Sequence, residues 1–183
     1  ATKKGQAITF SIKACRAMGR GTHGVRGIKL AAGDEVISLL WLKSENKVLT
    51  LTENGYGKRT EPGEYRITRR GGKGVKNLNI TEKTGEAVFV ESVADDYDLI
   101  ITSREGQVIR TAADGVRVTG RVSQGVKVIT LREGDSVQDA TALPSVEDLE
   151  QDAVASQESF QETVDSSSSD SVVQENSETT AEE

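Results

Sequence analysis

A repeat of about 50 residues, a strand-and-turn texture without helical periodicity, and an abrupt change of composition near residue 144 together predict the fold class. They predict an all-β array of propeller-type blades, about three of them and so an incomplete ring, followed by a disordered tail.

Gly24-Val25, Gly74-Val75 and Gly125-Val126 align, with their glycines 50 and then 51 residues apart. Gly5, Gly55 and Gly106 each stand 19 residues before one of those glycines. Apolar pairs follow at fixed offsets: Ile28 and Leu30, Leu78 and Ile80, Ile129 and Leu131. Gly33-Asp34 matches Gly134-Asp135 further on. The one extra residue of the third unit falls near Ser103–Glu105, where a turn absorbs it. Such a period belongs to arrays and propellers. The units lie near 1–47, 48–97 and 98–143, within a folded part spanning 1–143.

Inside each unit the segments read as strands. Val48–Thr52, Ala87–Val90, Leu99–Thr102 and Val126–Leu131 are short and rich in β-branched residues. Glu53-Asn54-Gly55 and Glu105-Gly106 supply turns, and 18 glycines against 2 prolines suit many of them. Each unit is expected to form one blade of about four strands. The first unit has no counterpart of the Val48–Leu51 strand, and three blades are fewer than the typical four to eight. The chain also begins without a methionine, so it is expected to be a piece of a longer one.

Several function classes are excluded on composition. No stretch approaches the roughly 18 apolar residues of a membrane span, and the N-terminus has no signal-peptide run. One cysteine, Cys15, precludes an intrachain disulfide and fits a reducing, cytoplasmic setting. Cys15 with the single histidine, His23, cannot build a zinc site. No phosphate-binding loop and no nucleophile–base–orienter set stands in the sequence, so no catalytic residue, metal ligand or cofactor site is assigned.

Charge divides the chain. All 23 Lys+Arg lie at or before Arg132, so residues 1–143 carry a net charge of +6 and residues 144–183 one of −12. The acidic part, rich in Ser, Glu, Asp and Gln, is expected to be disordered. It serves either as a solubilising tail or as a tethered competitor for whatever the basic part binds.

Basic residues repeat with the glycines. Arg16, Arg66 and Arg117 stand eight before the central glycine; Arg20, Arg70 and Arg121 stand four before; Arg26, Lys76 and Lys127 stand two after. Acids occupy none of these nine positions. The −8 and −4 positions share parity, so on one strand they face the same side. The +2 cation shares parity with the apolar residues at +4 and +6, so a bulge, or a strand starting after +2, is needed to turn it outward. Lys58, Arg59, Arg69, Lys73, Arg104 and Arg110 add to the same surface. A track of same-sign charge binds the phosphates of duplex DNA with little sequence information. Aromatics do not interleave with it, apart from Tyr65 beside Arg66, which disfavours a single-strand reader. The rival readings are a protein-binding propeller scaffold, an RNA-binding module and an enzyme.

Met18-Gly19-Arg20-Gly21-Thr22-His23-Gly24-Val25-Arg26-Gly27-Ile28-Lys29-Leu30 and Asn54-Gly55-Tyr56-Gly57-Lys58-Arg59-Thr60 closely resemble the C-terminal domain of the DNA gyrase A protein. The resemblance covers residues 1–143, and the corresponding domain of topoisomerase IV is the nearest alternative. It implies a six-bladed β-pinwheel that wraps duplex DNA around its rim. It further implies a type II topoisomerase holoenzyme, a heterotetramer of the gyrase A and gyrase B proteins, that introduces negative supercoils at the expense of ATP. The holoenzyme's ATP and magnesium sites and its catalytic tyrosine would lie outside this chain, so Tyr56, Tyr65 and Tyr97 are not given that role. A cytoplasmic, nucleoid-associated location without membrane contact is implied as well. The family's Arg-Arg-Gly-Gly signature box has a look-alike in Thr68-Arg69-Arg70-Gly71-Gly72-Lys73-Gly74, in a later blade than usual.

Overall fold

A computed structural model describes residues 1–144; the acidic tail expected from sequence lies, from residue 145 on, outside the described residues. The strands are β1 Gln6–Ala7, β2 Lys47–Thr52, β3 Tyr56–Thr60, β4 Val75–Lys76, β5 Ala87–Val93, β6 Tyr97–Ser103, β7 Val108–Ala112, β8 Val126–Lys127 and β9 Val137–Pro144. Three short 3₁₀ turns, Ile12–Ala14, Pro62–Glu64 and Ala113–Gly115, recur at one position of the repeat, and the described residues contain no α-helix. The fold is all-β, as the strand texture predicts, and the sheets do not close into a ring.

The second sheet has the order β5-β2-β3-β8 and the third β7-β6-β9. β2 (Lys-Val-Leu-Thr-Leu-Thr) is central, and Val48–Thr52 are buried from end to end. Its β-branched threonines and valine fit a strand flanked on both edges. Leu49 lies opposite Arg59 on β3 and Glu91 on β5. In the third sheet Leu99 of β6 lies opposite Thr111 and Ala142. A main core gathers Leu49, Leu51, Val93, Leu99, Ile101, Val116, Ile129 and Val137; a smaller one gathers Ala7, Val48, Tyr65 and Val90. Leu39 and Trp41 stay exposed along an open apolar groove between residues 8–12 and 38–44.

One sequence expectation is corrected here. A repeat unit does not make a whole blade, because its short strand after the central glycine leaves home. β4 of the second unit pairs with β1 of the first, Gln6 opposite Lys76 and Ala7 opposite Val75. β8 of the third unit pairs with β3 of the second, Tyr56 opposite Lys127 and Gly57 opposite Val126. Parallel bridges Thr9–Ile67 and Arg59–Val118 extend the same exchange. Neighbouring units are therefore interlocked by backbone hydrogen bonds as well as packed together.

The central glycines are what make the exchange possible. Gly74 (φ +76°) and Gly125 (φ +81°) sit against the carbonyls of Ala7 and Gly57, and a Cβ at either would lie well inside van der Waals contact of that oxygen. Gly125→Ala is expected to cost more than the roughly 1–2 kcal/mol of a left-handed alanine and to lower the thermal midpoint by about 4–8 °C. Gly134 has φ +82°, and a Cβ added there would meet no atom within 4 Å, so Gly134→Ala measures the backbone contribution alone. Equal midpoints for the two variants would show that the close approach is unimportant.

Candidate nucleic-acid interface

The +2 cations face solvent because the exchanged strand carries a bulge. Asn77 and Leu78 both donate their N–H to the Gly5 carbonyl, at 2.8 and 3.2 Å. Val128 and Ile129 both donate to the Gly55 carbonyl, at 2.8 and 3.3 Å. Two donors on one acceptor shift the side-chain alternation by one residue. Lys76 and Lys127 therefore stay exposed while Leu78 and Ile129 enter the core. Arg26, at the same position of the first unit, is exposed too.

The −8 arginines, Arg16, Arg66 and Arg117, are exposed two residues beyond the three 3₁₀ turns. Arg69 and Lys73 are exposed on either side of the Arg70–Gly72 turn, and Arg104 at the turn after β6. Among the described residues none of these, and none of the +2 cations, is held in an ion pair.

The −4 position behaves differently. Arg20 is exposed, whereas Arg70 and Arg121 are half-buried. The Arg70 guanidinium donates to the carbonyls of Arg26 and, at 3.2 Å, Ala14. That of Arg121 donates to the Lys76 carbonyl. The expectation that −8 and −4 share one strand face is overturned, because no strand runs from Arg66 to Arg70: only the bridge at Ile67 lies between them, and Arg70, which opens the turn Arg70–Gly72, reaches back across the preceding unit.

Lys58 and Arg59 are corrected more sharply, since both are buried, at 0% and 6% exposure. The Lys58 ammonium donates to the carbonyls of Gly120, at 3.1 Å, and Arg121. Arg59 donates from Nε to the Val116 carbonyl at 2.7 Å and from Nη2 to the Asp114 carbonyl at 2.8 Å. Its Nη1 pairs with Asp95, which Lys47 also reaches at 2.7 Å. The signal for Lys58 was in the repeat: the aligned residues of the other units are Ile8 and Ile109, an inward position. Arg110 is exposed but paired with Asp98, its Nε 3.0 Å from the carboxylate, so its charge is largely matched.

Burial lowers the Lys58 ammonium to a pKa of about 8, a shift that Glu64 opposes and Arg121 reinforces. An unfolded lysine titrates near about 10.4. Between those values the folded chain binds fewer protons than the unfolded one, so this residue adds stability as pH rises through that window and loses it as pH falls. The thermal midpoint of the wild type relative to Lys58→Met is expected to climb from pH 7.5 to pH 9.5. A constant difference between the two proteins would remove Lys58 from the pH dependence.

Tyr65, the one aromatic beside a −8 arginine, offers no platform for a base. It is buried, its hydroxyl donates to Asn77 Oδ1 at 2.5 Å, and Asn77 Nδ2 donates on to Thr50 Oγ1 at 3.1 Å. Burial pushes its hydroxyl up to about 12. Among the described residues no three His, Cys, Asp or Glu side chains gather as a metal site, and no helix is long and apolar enough to cross a membrane. The surface thus offers spaced cations that form no ion pair among the described residues, an arrangement that suits a polyanion.

A sequence model described as the DNA gyrase C-terminal domain, a β-propeller, matches residues 1–40, 46–94 and 97–144. The chain is 72% identical over 160 residues to the DNA gyrase A protein of Fibrobacter succinogenes, covering 87% of this chain and 18% of that protein. It is 43% identical over 154 residues to the DNA gyrase A protein of Deinococcus deserti, covering 81% and 19%. The chain thus spans about a fifth of the length of these relatives. Among solved structures, a DNA gyrase A C-terminal domain superposes with TM-score 0.72 at 31% identity, over 78% of this chain and 48% of that one. The C-terminal domain of a DNA topoisomerase IV superposes with TM-score 0.73 over 78% and 45%, and its 19% identity speaks for the fold alone. Interlocked all-β units, the glycines that permit the interlock and the family match agree: the chain belongs to the DNA gyrase C-terminal domain family of β-propellers.

Proposed function

We propose that this chain binds the phosphate backbone of duplex DNA without reading its sequence and curves the DNA along its rim, as the C-terminal part of a DNA gyrase A protein. The observation that carries this reading is the recurrence of exposed cations at −8 and +2 of each unit, Arg16, Arg66, Arg117, Arg26, Lys76 and Lys127, none of them in an ion pair among the described residues. Duplex DNA presents a negative charge about every 1.7 Å of axis, so cations repeated from unit to unit neutralise it at intervals and release counterions. Successive blades of a propeller are rotated about an axis, and DNA that follows them must bend. Bending 20–30 base pairs by 40–90° costs on the order of 1–6 kcal/mol, which the phosphate contacts must exceed. Within the complete enzyme the wrap would present a DNA segment for passage. The rest of the gyrase A protein and the gyrase B protein would supply the breakage-reunion tyrosine and the ATP and magnesium sites that drive negative supercoiling. The setting would be the cytoplasmic nucleoid.

The test is the linking number trapped when relaxed circular DNA is nicked and resealed in the presence of the complete gyrase A protein. A shift of one sign that grows with bound protein is expected, with short duplexes competing equally whatever their sequence and single-stranded RNA competing poorly. An unchanged linking number at saturating, salt-sensitive binding would leave binding without wrapping; preference for the RNA would overturn the reading.

A further inference from the structure

The cations of the repeat divide into two groups by what their side chains reach. Those at −8 and +2 point into solvent. Arg70 and Arg121 instead reach over a unit junction, each to the backbone carbonyl of the preceding unit's +2 cation: Arg70 to Arg26 and Arg121 to Lys76. The same contact at two successive junctions, from residues 51 apart in sequence, marks a property of the repeat. Around it each turn is braced. Gly71 donates to the Gly27 carbonyl at 2.6 Å and Lys29 to the Gly72 carbonyl at 2.8 Å, pinning the segment that bears Arg26. At the next junction Glu64 accepts from the Arg121 N–H at 2.6 Å, and Lys58 holds the Gly120 and Arg121 carbonyls from below.

We propose that Arg70 and Arg121 are positioning residues: they fix the backbone beneath one +2 cation to the turn of the next unit, and so set the step between successive phosphate contacts. This rests on the DNA-wrapping reading above. A guanidinium is suited to the task because it is planar and donates in fixed directions, whereas an ammonium is a compact charge on a flexible stem. A loosened junction leaves the number of cations unchanged but lets their spacing vary, so DNA still binds and no longer follows one curve.

The experiment uses the complete gyrase A protein with Arg70→Lys and Arg121→Lys together, which keeps the charge and removes the directed contact. Two quantities are read: the salt dependence of binding to a short linear duplex, and the linking-number change per bound protein on relaxed circular DNA. The proposal expects the salt slope to stay within about 0.5 of wild type, since each phosphate contact is worth roughly 0.9, while the linking-number change falls to half or less. An unchanged linking-number shift overturns it. So does a fall accompanied by a slope flattened by one contact or more, which would make these arginines phosphate ligands. Should the double variant lose its β-sheet circular dichroism, Arg70→Lys alone, with the second junction intact, decides by the same readings. A wild-type protein that fails to shift linking number would defeat the wrapping reading itself, and that outcome is seen before any variant is made.

Discussion

Replacing Arg26, Lys76 and Lys127 together by glutamine is expected to weaken duplex binding about 500-fold at 0.1 M salt and to flatten the log–log salt slope by roughly 2.7. The three side chains occupy one position of the repeat, are exposed, and stand free of carboxylates among the described residues. Each phosphate they neutralise contributes about 0.9 to the slope, and a slope loss of about 2.7 grows into that factor over the decade of salt below 1 M. Their removal leaves the fold in place, because the backbone of β4 and β8 makes the exchange and the side chains make none of the core. Titrating a labelled duplex of fixed length at four or five salt concentrations gives both numbers. A large affinity loss with an unchanged slope would mean that the variant is damaged in structure. An unchanged affinity would remove the +2 row from the interface. The same substitution at Arg110 is expected to do far less, since Asp98 already matches its charge.

Arg59→Met is expected to be the most destabilising single change at a cationic position, by about 3 kcal/mol. The side chain is 7% exposed and joins the second sheet to the following unit through the Val116 and Asp114 carbonyls. Hydrogen bonds from a charged donor are worth about 1.5–3 kcal/mol each, and the Val116 carbonyl belongs to a buried residue that water does not easily replace. The Asp95 carboxylate is 59% exposed, so its share of the loss is small. Urea or thermal unfolding measures the cost, and a drop of roughly 6–12 °C in midpoint is expected for a domain of this size. Asp95→Asn, which keeps both carbonyl contacts, is expected to cost less than about 1 kcal/mol. If Asp95→Asn costs as much as Arg59→Met, the ion pair and not the carbonyl clasp holds the junction.

Much of this was legible in the sequence because it is local. Strand texture depends on residue type within a few positions, so the all-β class followed from segments such as Val48–Thr52 and Leu99–Thr102. The glycine spacing exposed the repeat, and the repeat exposed the recurrent cations. Parity alone called for either a bulge or a strand starting after +2, and the paired donors of Asn77-Leu78 and Val128-Ile129 show that it is the bulge. The inward position of Lys58 was also written in the alignment, in Ile8 and Ile109, although its charge argues for the surface.

Tertiary structure decided the rest. That β4 and β8 pair with the preceding unit is a contact between residues about 70 apart, such as Ala7 with Val75, and no local pattern encodes it. The roles of the arginines followed from that exchange. Arg66 and Arg70 are alike in charge and share parity, yet one is exposed and the other meets a carbonyl across a junction, because the turn at Arg70–Gly72 lies against the preceding unit, whereas Arg20, on the matching turn of the first unit, stays exposed. Sequence by itself determined which positions carry charge and how often they recur. Only the fold determined which charges remain free, because that depends on which carbonyls the neighbouring unit brings within a hydrogen bond of them.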